Sequence, residues 1–81
     1  MKEIRSVTLK GSELSHESIA RALSFPAWYG NNLDALYDCL TDLSHTVLFI
    51  KDPHAKPEND ALLRVIFDAA EKNRRLWVFI L

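Results

Sequence analysis

Three aspartates, Asp34, Asp38 and Asp42, recur at every fourth position of a stretch that opens FPAWYGNNLDALYDCL at residue 25. If that stretch is helical, residues four apart are surface neighbours, with Cβ atoms about 5–6 Å apart. A row of fixed carboxylates could serve acid–base chemistry, hold a cation or meet a positively charged partner. Carboxylates at i and i+4 of a single helix offer a divalent cation few of the oxygens it needs. Two adjacent aromatics, Trp28 and Tyr29, stand just upstream, followed by Gly30, Asn31 and Asn32. Aromatic anchors beside a charged patch are the material of interface hot spots. The plainer alternative is a solvated polar helix face, with one of the two aromatics capping the core.

The other reactive side chains form no catalytic set. His16, His45 and His54 fall at a helix start and in two loops, without metal-ligand spacing and without a glycine-rich phosphate loop. They are read as surface residues. Cys39 lies between the leucine and aspartate faces of the motif helix, with no histidine close in sequence. It reads as a small apolar residue rather than a nucleophile. No metal, no cofactor and no catalytic activity are expected.

Eighty-one residues make one domain, 1–81, near the small end of what folds unaided. The hydrophobic fraction of 48% supplies a core, and 26% charge is ordinary for a globular chain. A formal net charge of −1 gives no overall reason to expect direct nucleic-acid binding. No apolar run approaches the ~20 residues of a membrane span. The opening MKEIRSVTL lacks the apolar run of a secretory signal and reads as the start of a strand. A lone cysteine cannot make an internal disulfide, so a reducing cytoplasm is the expected location.

These elements must position the acidic row. Residues 3–9 read as a strand ending at Lys10-Gly11-Ser12. Ser15 reads as a helix N-cap, with Leu14 and Ile19 as a hydrophobic staple. That helix should end near Leu23 or Ser24, because Pro26 disfavours helical backbone at Phe25. A second helix is expected over 32–43, capped by Asn31 or Asn32. At about 100° per residue, Leu33, Leu36, Leu40 and Leu43 share one stripe, with Tyr37 at its edge and the aspartates opposite. No lysine or arginine occurs from Ala22 to Thr46 to neutralise the aspartates locally. TVLFIK (46–51) and LWVFIL (76–81) are continuous apolar runs, which suit parallel strands covered on both faces. Between them, 52–59 is a loop, Pro57 suits the first turn of a third helix, and that helix should end near Asn73. The order β-α-α-β-α-β predicts a small three-stranded parallel α/β sheet, one face covered by helices more completely than the other.

At FPAWYGNNLDALYDCLTDL the chain resembles the core motif of the barstar family, intracellular protein inhibitors of secreted bacterial ribonucleases. The shared elements are Pro26, the aromatics Trp28 and Tyr29, Gly30, then Asn32-Leu33-Asp34-Ala35-Leu36, the aromatic Tyr37, Asp38-Cys39-Leu40 and Thr41. The likeness continues along the chain as a matching order of strands and helices. It implies a barstar-like fold with three helices, or four if the 52–60 connection holds the family's extra short one. It also implies that loop and motif helix plug a ribonuclease active site. On that mapping Asp38 is the central anion, lying where a substrate phosphate would bind, and Asp34 is a second charged contact. Tyr29 lays its ring against the cleft, and Trp28 replaces the family's usual tyrosine. Gly30, Asn31 and Asn32 shape the loop, while Ala35, Tyr37 and Thr41 flank the acidic row. Where the family pattern carries acids or aromatics, this chain has Asn31, Leu43 and, on the last helix, Ala69; Asp42 is an added acid. The implied partner is a secreted or injected bacterial ribonuclease, bound 1:1 by a protein that is a monomer alone. The acidic helix suits equally a module that binds a basic partner other than a nuclease.

Overall fold

The apolar runs at 46–51 and 76–80 form strands because β-branched and aromatic side chains pack well on a pleated surface. In the computed structural model, which describes residues 3–81, β1 (Arg5–Lys10), β2 (Thr46–Lys51) and β3 (Leu76–Ile80) make one parallel sheet in the order β1-β2-β3. Val7 pairs with Leu48, and Leu48 with Val78, across the centre of the sheet. Three α-helices, α1 (His16–Leu23), α2 (Leu33–Thr41) and α3 (Asn59–Lys72), make the connections. The α/β architecture is the one expected. Met1 and Lys2, which the reading of the first strand took in, lie outside the described residues, and β1 begins at Arg5 rather than at residue 3.

The expectation that β2 and β3 are covered on both faces fails. Leu48, Ile50 and Leu76 are buried, whereas Trp77 and Phe79 are 42% and 50% exposed. With strands added in one direction, crossovers of one hand place every helix on the same face. Among the described residues no helix or strand packs on the opposite face. The opposite face therefore keeps its apolar side chains in the open.

Ser15 caps α1 as expected: its Oγ accepts the Ser18 N–H at 3.0 Å, and the Ser18 Oγ accepts the Ser15 N–H at 2.9 Å. Leu14 and Ile19 are both buried, closing the staple. The helix stops at Ser24, which takes the left-handed conformation (φ 56°), and the Phe25 N–H returns to the Ala20 carbonyl at 2.9 Å. The helix thus ends where expected, ahead of Pro26, with the reversal made at Ser24. A short 3-10 turn, Gly11–Glu13, follows β1 and was not legible from residue types. Pro57 lies in the turn before α3, where its carbonyl accepts the Asp60 N–H, and not within the helix's first turn. Among the described residues, 52–58 forms turns and no fourth α-helix.

α2 is seated by Leu36 and Leu40, both fully buried, while Leu33 is 40% exposed and drops out of the expected stripe. The helix ends at Thr41, two residues earlier than the pattern suggested, with Asp42 as its cap. Its carboxyl end is fastened from α3. The Asn73 side-chain amide, buried, donates to the Leu40 carbonyl at 3.0 Å and to the Leu43 carbonyl at 2.8 Å. Leaving buried carbonyls without a donor costs about 1–3 kcal/mol each. The Leu40 carbonyl also accepts the Leu43 N–H at 3.3 Å, so Asn73→Ala leaves chiefly the Leu43 carbonyl without a donor. The substitution should lower stability by about 1–3 kcal/mol, seen as a fall in the urea midpoint at unchanged slope. A shift below about 0.5 kcal/mol would mean that water serves these carbonyls equally well.

Candidate functional site

The loop between α1 and α2 turns its two aromatics in different directions. Tyr29 is half-buried: its ring meets Phe25 edge-on (5.0 Å, 65°) and its hydroxyl is hydrogen-bonded to His16 Nδ1. Trp28 is 69% exposed. One aromatic thus caps the core, as the plainer alternative allowed, and the other is presented to solvent. His16, read as a surface residue, is half-buried and holds the loop through Tyr29. Nothing local in the sequence links positions 16 and 29; the packing of α1 against the loop brings them together.

The left-handed residue of the loop is Asn31 (φ 54°), not Gly30. Asparagine tolerates that region better than other non-glycine residues. Gly30 contributes closeness instead, since a Cβ there would stand 3.1 Å from Asn32 Nδ2. Asn32 is the cap of α2, its Oδ1 accepting the Ala35 N–H at 2.8 Å. That cap fixes where the helix begins and so places Asp34 in its first turn, the favourable end of the helix dipole.

Asp34, Asp38 and Asp42 are all exposed. Among the described residues the one contact of this kind is His54–Asp60 at 3.6 Å, so none of their basic groups pairs with the row. Asp42 sits beyond the last helical turn, at the end where a carboxylate is disfavoured. Ala35, Tyr37 and Thr41 are half-buried between the row and the core. The Thr41 hydroxyl donates to the Tyr37 carbonyl at 2.9 Å and the Asp38 carbonyl at 3.0 Å, which commits it to its own helix.

Cys39 is buried beneath the row. Burial above all, with Asp38 and Asp42 adding to it, pushes its thiol above the ordinary value near 9.0. A protonated, covered thiol is a poor nucleophile. Among the described residues no group of three histidine, cysteine or acidic side chains could hold a metal ion.

Sequence reasoning missed Leu33, assigned to the core. With Asp60, Ala61, Arg64 and Val65 it lines a shallow depression of about 340 Å³ beside the start of the acidic helix. Ala69, the position at which a last-helix acid is replaced, is 0% exposed. It faces the core, whereas the neighbouring Asp68 is exposed. Phe67, Asp68 and Glu71 are exposed around it on α3.

Fold and surface together define a small α/β domain with an exposed acidic helix and an exposed tryptophan side by side in sequence. The family model described as Barstar (barnase inhibitor) matches residues 3–80, and the chain belongs to the barstar family. It is also similar to "Putative ribonuclease inhibitor YrdF" of Bacillus subtilis (strain 168), 55% identical over 29 residues, 36% of this chain and 32% of that one. The match spans about a third of that relative's length.

The buried thiol and phenol give the fold an alkaline limit. Tyr29, like Cys39, is pushed above its ordinary value, here 10.0, first by burial and then by Cys39. Both groups hold their protons more tightly in the folded than in the unfolded chain. Their contribution is full below the unfolded values and is lost as pH rises through the folded ones. Stability should thus begin to fall near pH 9 and fall further above pH 10. In chemical denaturation across this range, Cys39→Ala should remove the first part of the decline and Tyr29→Phe the second. An unchanged alkaline slope in both variants would exclude these groups as its source.

Proposed function

We propose that this protein inhibits a bacterial ribonuclease by placing α2 and the Trp28 loop in the enzyme's active-site cleft. The observation that carries the reading is the row Asp34-Asp38-Asp42, exposed and unanswered by any cation of the protein's described residues, beside the open Trp28. Three aligned like charges cost a helix a few tenths of a kcal/mol per pair. Membership of a family of barnase inhibitors gives that cost a use.

A site that cleaves phosphodiesters concentrates positive potential, and fixed carboxylates satisfy it without being cleavable. Complementary charge speeds association and selects the partner, while desolvated pairs and aromatic anchors slow escape. Asp38, in the middle of the helix, is the central anion, with Asp34 toward the loop and Asp42 extending the row. Trp28 is the aromatic anchor. Tyr29, tied to His16 and Phe25, supports the loop from below and reduces the ordering that binding requires. The protein acts stoichiometrically and without turnover, 1:1, in the cytoplasm. It protects the cell from a secreted or injected enzyme as an immunity-type protein.

The test is inhibition of a small secreted bacterial ribonuclease on an RNA substrate, titrated with wild-type protein and Asp38→Ala at low and moderate salt. Wild-type inhibition should be stoichiometric and weaken with salt. Asp38→Ala should bind at least tenfold more weakly, about 1.4 kcal/mol, while its thermal midpoint stays within about 2 °C. A variant that loses its fold would make the aspartate structural. An inhibitor indifferent to the substitution would place the site elsewhere.

A further inference from the structure

The face of the sheet that the helices leave open has a composition of its own. Strand alternation puts Ser6, Thr8 and Lys10 of β1, Val47, Phe49 and Lys51 of β2, and Trp77 and Phe79 of β3 on it. The register draws them into rows, Thr8–Phe49–Phe79 followed by Lys10–Lys51. The Phe49 and Phe79 rings stack at 5.7 Å with 27° between their planes. Among the described residues these positions include no acid, although the chain as a whole has a net charge of −1. Beyond the lysines lies a pocket of about 260 Å³ lined by Lys10, Gly11, Ser12, Lys51 and Asp52. It stands at the carboxyl ends of parallel strands, where ligands of open α/β sheets tend to bind.

We propose that this open face binds single-stranded nucleic acid, stacking bases on Phe79, Phe49 and Trp77 and holding two backbone phosphates, one at Lys10 and one at Lys51. Every base has a flat π-face, and an exposed aromatic on a sheet receives it regardless of sequence. The phenylalanine row and the lysine row are two residues apart along the strands, about 6.6 Å. That step is comparable with the separation of base and phosphate within one nucleotide. Charge argues against a second copy as the occupant. Lys10 and Lys51 stand at one end of the face and exposed Arg74 and Arg75 at the other, so two such faces would set cation against cation in either orientation. Net charge conceals the site because the Asp34-Asp38-Asp42 row of α2 and the acids of α3, Asp60, Asp68 and Glu71, belong to the helices rather than to the open face, where Asp52 borders the lysine pocket.

The experiment is fluorescence anisotropy of end-labelled decamers of oligouridylate and oligothymidylate, titrated with the full chain across a salt series. Saturable binding is expected in the micromolar range, with a logarithmic salt slope near −1.4 for two neutralised phosphates, about 0.7 each. Phe79→Leu, which keeps an apolar side chain and loses the ring, should weaken binding at least fivefold at unchanged slope, as loss of one stacked base predicts (~1–3 kcal/mol). Lys51→Gln, at an exposed position, should reduce the slope by about 0.7 and supplies the test if Phe79→Leu does not fold. Comparable affinity for duplex DNA would overturn the proposal, as would binding that neither substitution weakens or no binding at millimolar protein. Co-sedimentation with phosphatidylglycerol vesicles in place of decamer binding would assign the face to a membrane surface. A dimer in sedimentation that shields Trp77 would assign it to a second copy.

Discussion

The carboxyl end of α2 poses the problem on which the presentation of the acidic row depends. A helix leaves its last carbonyls without intrahelical donors, and a basic side chain nearby is a common remedy. The last turn of α2 contains no basic residue. Here the donors are neutral. Thr41 Oγ1 serves the Tyr37 and Asp38 carbonyls, the Asp42 N–H serves those of Cys39 and Leu40, and the Asn73 amide clamps Leu40 and Leu43. The end of the helix is thus closed without a basic side chain beside the row. Since Asn73 is also the cap of α3, the clamp joins the two helices at the point where the chain turns into β3.

The loop at the other end of α2 is stiffened by comparable means. Asn31 supplies the left-handed turn, Asn32 caps the helix, and the Tyr29–His16 bond ties the loop back to the first turn of α1. Both ends of α2 are therefore fixed by contacts within the protein itself.

The same topology divides the molecule into unlike surfaces. Strands laid down in one direction, with crossovers of one hand, gather the helices on one face, and the Asp34-Asp38-Asp42 row with them. Lys10, Lys51, Phe49, Trp77 and Phe79 stand on the other. A net charge close to zero describes neither surface. The two are physically separate, so the chemistry of one need not compromise the other.

Much of this was present in residue types alone. The Ser15 cap with its Leu14–Ile19 staple, the Asn32 cap, the buried Leu36 and Leu40, the strands at 46–51 and 76–80 and the exposed aspartates all follow from local rules. Caps and periodicity depend on neighbours within four or five positions, which a sequence displays directly. What the sequence could not display depends on distances across the fold. Leu33 reads as core by periodicity, yet nothing packs over it at the start of the helix. His16 reads as surface, yet a loop thirteen residues away returns to it. A continuous apolar run announces a strand but not whether one or both of its faces are covered. That was decided only when three strands and three helices came together with no second layer to close the sheet.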